Sequence, residues 1–291
     1  MSATPRPRRS VLYLPGSNAR ALEKARTLPT DALILDLEDA VAPDAKATAR
    51  TQVAEAVAAG GFGEREVLVR VNGADTAWFA DDLAAIATAG ADGVLVPKVS
   101  SVAAVAEVET ALAAAGAPDD LALWAMLETP RAVLDAGEVT RASDRLVGFV
   151  MGTNDLAKEL GAAHVPGRAP MLTALSWCLL AARDAGKIII DGVYNDLDDA
   201  EGFAAECRQA VELGFDGKTL IHPRQLEPCN AAFTPTEEEV AHARAVISAF
   251  EAAALEGRGV VTVGGKLVEN LHVEQARKVL AVVEAVRDRQ G

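Results

Sequence analysis

Short apolar runs alternate with alanine-rich helical stretches about eight times along this chain, and that alternation constrains the fold more than any other feature. The strand candidates are 11–15, 32–39, 66–72, 93–99, 121–128, 146–155, 187–195 and 218–223. Each is apolar on both faces, as parallel strands sandwiched by helices must be. Helical patterns fall between them, at 19–27, 44–59, 80–89, 102–115, 170–185 and 201–213. Alternating β and α units predict an α/β fold with a parallel sheet. About eight of them favour a closed TIM (β/α)8 barrel over an open sheet. A length of 291 residues suits one such barrel.

The barrel is expected to span 1–232. The remainder, 233–291, has a different pattern. Thr236 and Glu239 have the spacing of a capping box and open a helix to about residue 255. Gly264-Gly265 then sits between two short β-prone runs, as in a hairpin, and a last helix follows from about 273 to 287. This helix–hairpin–helix extension cannot bury itself alone. It is expected to pack on a neighbouring subunit, which makes the chain a homo-oligomer.

A net charge of −14 excludes a nucleic-acid partner, because a phosphate backbone demands a basic face. Small anions need only local positive charge. The one basic cluster is N-terminal: Arg6, Arg8, Arg9, Arg20, Lys24 and Arg26. Its plain reading is a solvated tail and helix face. Cys178, Cys207 and Cys229 show no metal-type spacing and read as reduced packing residues. No apolar run reaches membrane-spanning length, and no signal peptide is evident, so a cytoplasmic protein without a membrane partner is expected.

Polar residues on the strands concentrate towards their C-terminal ends, the rim where TIM-barrel sites are built. Glu128 ends one apolar run and Asp155 the next. A buried carboxylate is costly unless something compensates it. Each alone reads as a salt-bridged acid or a helix N-cap. As a pair on successive strands they read as ligands for a hard divalent cation, Mg2+ with Mn2+ as an alternative. Leu-Asp-Leu-Glu-Asp at 35–39 adds Asp36, Glu38 and Asp39, which repel one another unless cations intervene. Arg70 ends a strand and can grip a substrate carboxylate, or pair with those acids. Arg70 and Asp39 are the barrel's catalytic candidates. Lys98 is a weaker one, for a Schiff base. His222 is the one histidine near a strand end, with acid–base and structural readings both open. The turn Pro15-Gly16-Ser17-Asn18 opens a helix and offers an anion seat, with Arg20 and Lys24 on the following turns.

Leu-Tyr-Leu-Pro-Gly-Ser-Asn, Leu-Asp-Leu-Glu-Asp-Ala-Val, Val-Arg-Val-Asn-Gly, Leu-Val-Pro-Lys, Glu-Thr-Pro, Gly-Thr-Asn-Asp-Leu and Gly-Lys-Thr-Leu-Ile-His-Pro occur in that order. Together they resemble the citrate lyase β-subunit and malyl-CoA lyase family of the HpcH/HpaI aldolase superfamily. Gly-Thr-Asn-Asp-Leu-Ala-Lys-Glu-Leu, Asp-Gly-Val-Tyr-Asn and Val-Glu-Asn-Leu-His resemble most its (3S)-malyl-CoA thioesterase branch. The resemblance implies a Mg2+-dependent barrel acting on a CoA thioester, with Glu128 and Asp155 on the metal. It implies Arg70 on the substrate carboxylate and Pro15, Gly16, Ser17, Arg20 and Lys24 along CoA. In the family's lyases an aspartate from a neighbouring subunit is the catalytic acid, and here Glu269 holds that position. The extra methylene displaces the carboxyl, which puts cleavage in doubt and favours hydrolysis. A site completed across subunits fits a trimer or hexamer. The expected activity is C–C cleavage of malyl-CoA-like 3-hydroxy-dicarboxyl-CoA thioesters, or their hydrolysis to malate and CoA. The rival readings are a CoA-independent 4-hydroxy-2-keto-acid aldolase and a non-catalytic subunit of a lyase complex.

Overall fold

The computed structural model describes residues 6–255 and 259–288. Eight parallel strands close into a barrel in sequence order: β1 Ser10–Pro15, β2 Ala32–Asp36, β3 Glu66–Arg70, β4 Gly93–Val96, β5 Ala122–Leu127, β6 Leu146–Met151, β7 Ile188–Asp191 and β8 Gly217–Leu220. β1 pairs with β8 to close it. The (β/α)8 expectation therefore holds. The expected strands start within one residue of the observed ones, and all but the first run on too far. Leu37, Val71 and Val99 lie past the last ladder pairs and are still buried, so their hydrophobicity reads as strand where the chain has already turned over the rim.

The largest correction concerns 146–155. β6 stops at Met151, and Thr153–Leu160 is a helix with Gly152 at its N-cap. Asp155 thus sits in the first turn of a helix, where a carboxylate is favoured by the free N–H groups.

Alternation along the strands builds the barrel interior in layers. Val11, Ala32, Ile34, Leu68, Leu95, Trp124, Met126, Val150 and Ile190 form one buried cluster, with Tyr13 packed against it. Trp124 fills the centre because its neighbours are small: a Cβ on Gly148 would lie 2.5 Å from the indole. The Arg8 guanidinium lies over that ring at 5.4 Å and pairs with Glu66, while Arg9 pairs with Asp31 at 2.8 Å. These two arginines close the N-terminal mouth of the barrel. They are not part of a solvated tail, and they lie at the opposite rim from the strand ends that carry the acids.

Two compact units emerge, one from Arg8 to Asn230 and one containing the chain from Ala231 onward. In the second, helices Glu237–Leu255 and Asn270–Asp288 flank an antiparallel hairpin, β9 Val261–Val263 and β10 Lys266–Val268. Gly264 and Gly265 have φ of 55° and 77°, as a two-residue hairpin turn needs. The capping box forms: Thr236 N–H donates to Glu239 Oε2 at 2.7 Å, and Glu239 N–H to Thr236 Oγ1 at 3.2 Å. Val246, Val268 and Val273 belong to this unit's own core. The three cysteines are free and buried.

Candidate active site

The interior columns continue upward into charge. Two residues beyond Ile34 comes Asp36, two beyond Leu68 comes Arg70, and two beyond Met126 comes Glu128. The same pleat that buries the apolar layers therefore aims these side chains into the C-terminal mouth.

Arg70 is bound closely by acids. Its Nε and Nη2 donate to the two Asp36 oxygens at 2.7 and 2.6 Å, and Nη1 lies 2.8 Å from Glu38 Oε2. Asp39 is more distant, at 3.7 Å, and largely exposed. Asp36 also accepts N–H bonds from Glu38 and Ala40, which folds the 36–40 turn around it. Lys46 donates to the carbonyls of Leu37 and Glu38 and holds that turn from outside.

Glu128 is different. It is 1% exposed. Oε1 accepts the Lys98 N–H at 2.7 Å, and Oε2 has no hydrogen-bond partner. Lys98 reaches this position with a φ of 55°, a left-handed backbone uncommon for a non-glycine residue and one that recurs at functional sites. Burial pushes the Glu128 carboxyl up to about 8, helped by the negative charges of Glu38 and Asp155. Burial likewise pushes Glu38 up to about 7, against the pull of Arg70. Gly152 backs the Glu128 carboxylate so closely that a Cβ there would lie 2.3 Å from Oε2. Asp155 follows three residues later and lines a cavity of about 310 Å3 with Tyr13, Asp36, Asp39, Arg70 and Met126. An orphaned buried carboxylate oxygen and a second carboxylate near enough to raise its pKa fit a Mg2+-type cation. No cluster of three or more His, Cys, Asp or Glu ligands exists among the described residues.

A second cavity, about 480 Å3, adjoins the first, and Thr153 and Val193 line both. Asn154 and Asn195 exchange side-chain hydrogen bonds of 3.2 and 2.7 Å between helix Thr153–Leu160 and the segment after β7.

The other candidates are placed as follows. Gly16 approaches β2 so closely that a Cβ would lie 2.8 Å from the Asp36 carbonyl. Ser17, Arg20 and Lys24 are exposed around that turn, and Asn18 caps helix Ala19–Ala25. Lys98 Nζ is half exposed, 3.9 Å from Glu38. His222 is exposed, and its Nδ1 accepts the Arg224 N–H at 3.1 Å, a capping role. Glu269 lies in the C-terminal unit at the start of its last helix, where its N–H donates to His272 Nδ1.

Sequence reasoning missed a second charged cluster at the same rim. Lys218 is fully buried and donates to Asp191, to the Gly192 carbonyl and to Glu206 at 2.9, 2.6 and 2.6 Å. Arg168 Nη1 donates to both Asp191 oxygens. Burial of Asp191 would raise its pKa, but the Lys218 and Arg168 charges outweigh that and hold it below the usual range. The lysine's place within a β8 strand was the available signal.

The HpcH/HpaI aldolase/citrate lyase family model matches residues 9–223. A (3S)-malyl-CoA thioesterase of Cereibacter sphaeroides (strain KD131) is 53% identical over 280 residues, covering 96% of each chain. The citrate lyase subunit beta of Escherichia coli K12 is 39% identical, over 96% of this chain and 94% of that one. The CitE protein of Mycobacterium tuberculosis, solved with magnesium, acetoacetate and coenzyme A, superposes with a TM-score of 0.76 at 33% identity, covering 94% and 97%.

Proposed function

The chain belongs to the HpcH/HpaI aldolase/citrate lyase family, and from that premise we propose that it is a Mg2+-dependent enzyme of malyl-CoA-like 3-hydroxy-dicarboxyl-CoA thioesters. Its products are malate plus CoA by hydrolysis, or acetyl-CoA plus a 2-oxo acid by C–C cleavage. The observation that carries this reading is the buried Glu128 oxygen with no protein partner, beside Asp155 at the mouth of a barrel.

Glu128 and Asp155 would hold the cation. Bound there, it supplies Lewis acidity and a template for substrate oxygens. The chain's own groups do the rest. The Lys98 N–H fixes Glu128 through Oε1 and leaves Oε2 available. Asp36 locks the Arg70 fork at the cavity wall, where its positive charge favours a substrate carboxylate. Asp39, exposed on that wall, is placed to take a proton from substrate or water. Arg20 and Lys24, exposed beyond the Pro15-Gly16-Ser17 turn, suit the phosphates of CoA. The adjoining cavities give room for an acyl group and the start of a long arm. We further propose a homo-oligomer, a trimer or hexamer, in which residues 233–291 act on a neighbouring barrel and Glu269 is the acid that completes its site. Among the described residues no helix is long and apolar enough to cross a membrane.

Product analysis tests the reading. Malyl-CoA with Mg2+ is expected to yield malate and free thiol, or glyoxylate and acetyl-CoA. Neither pair appearing, with methylmalyl-, citramalyl- and citryl-CoA also inert, would contradict it.

A further inference from the structure

Tyr13 stands on the cavity floor with only a weak partner for its polar group. It lies on β1 opposite Ile34, one layer below Asp36, and it lines the cavity. A partly buried phenol such as Tyr13 normally finds a good acceptor. This one reaches only the Met126 thioether, with Sδ at 3.9 Å, and a thioether is a weak acceptor. Of the cavity's other side-chain donors, those of Arg70, Thr219 and Asn154 are engaged. Arg70 Nε and Nη2 donate to Asp36, while Nη1 donates to Met126 Sδ at 3.6 Å and lies 2.8 Å from Glu38 Oε2. The Thr219 hydroxyl donates to the Asp191 carbonyl, and the Asn154 amide to Asn195. The Arg70 guanidinium lies 4.9 Å from the Tyr13 ring centroid, a cation–π contact that favours this ring position.

We propose that the Tyr13 O–H is the hydrogen-bond donor that receives the negative charge developing on the thioester carbonyl oxygen, which makes Tyr13 a catalytic residue. This rests on the thioester reading above. In hydrolysis the water oxygen forms a bond to the carbonyl carbon and the C=O π pair moves onto oxygen. That pair then returns, the C–S bond breaks, and the thiolate takes up the proton the water lost. In cleavage the substrate hydroxyl loses its proton to a rim carboxylate and the C2–C3 bond breaks. Its electron pair becomes an enolate, which is later protonated at C2. Both routes place a full charge on the same oxygen, so one fixed donor serves either. Tyr13 keeps its proton throughout: burial holds its pKa well above the ordinary value, despite the pull of Arg70.

The test is Tyr13→Phe in the full-length protein, which removes one oxygen and preserves shape. We expect kcat on malyl-CoA to fall about 100-fold, in the range for removing one oxyanion donor, with KM within about threefold. Mg2+ affinity and melting temperature should stay at the wild-type values. A 3-fluorotyrosine at position 13, installed by stop-codon suppression, restores a donor of greater acidity and should return at least wild-type kcat. A Tyr13→Phe enzyme within twofold of wild-type kcat overturns the inference while leaving the thioester reading intact. So does a fluorotyrosine enzyme as slow as the phenylalanine variant. Wild-type protein inert on every thioester removes the reading itself.

Discussion

Asp191 and Glu128 are both fully buried carboxylates at the C-terminal end of a barrel strand, yet their surroundings push them in opposite directions. Around Asp191 the charges balance, with Lys218 and Arg168 against Asp191 and Glu206. That cluster sits where the barrel needs it. β7 and β8 share only two register pairs, Ile190↔Gly217 and Asp191↔Lys218, and the lysine ties the strands where the ladder is shortest. Around Glu128 the acids outnumber the bases. Asp36, Glu38, Asp39 and Asp155 gather with it, opposed by Arg70, Lys98 and Lys46. A self-satisfied cluster is architecture. A cluster that leaves a buried carboxylate oxygen unpaired among further acids is a candidate seat for a cation.

The largest effect expected from breaking this contrast is on catalysis. Glu128→Gln keeps the shape and removes the ligand charge, and steady-state kinetics should show a kcat loss of about 10³, the several kcal/mol that a Lewis acid supplies. The variant's melting temperature should equal or exceed that of the wild type, since no buried cation loses its partner.

Asp191→Asn reverses the outcome. It strands Lys218 and Arg168, and urea unfolding should show a loss of about 3–5 kcal/mol, with Mg2+ affinity retained. The pH dependence follows from the depressed pKa. The Asp191 contribution is present above its unfolded value of about 3.9 and is lost as pH falls through the lower folded value. Acid unfolding curves should therefore be shallower for Asp191→Asn than for wild type below pH 4 or so.

Glycines sharpen the comparison on a smaller scale. Gly152→Ala drives a Cβ into the Glu128 carboxylate and Gly148→Ala drives one into Trp124. Each overpacking should cost about 1–3 kcal/mol in thermal unfolding, but only Gly152→Ala should also weaken Mg2+ binding in a calorimetric titration. The smallest effect belongs to Thr219→Val, which deletes the hydroxyl bond to the Asp191 carbonyl at 2.9 Å. Denaturant midpoints should report about 1 kcal/mol.

Much of the barrel was legible because parallel strands buried on both faces are continuous apolar runs with sharp starts. Strand ends were less legible, since residues such as Leu37 and Val71 stay buried after the ladder stops. Asp155 read as a strand end because Gly-Thr-Asn carries no helical periodicity, although Gly152 turns the chain straight into a helix. The acids of the site were legible as polar residues in apolar runs. Their partners were not. That Arg70 is shared by Asp36 and Glu38 depends on register between strands, and Arg168 reaches Asp191 from a short 3-10 turn that leaves no periodic signal. Tyr13 passed as one more apolar strand residue because its weak hydrogen bond is visible only once Met126 is opposite it.

The central claim is that Glu128 and Asp155 together hold a divalent cation, and Mg2+ titration by isothermal calorimetry tests it most directly. Wild-type protein should bind one Mg2+ per chain, while Glu128→Gln and Asp155→Asn, folded by circular dichroism, should show no saturable heat. Binding by Glu128→Gln as tight as that of the wild type would contradict the account.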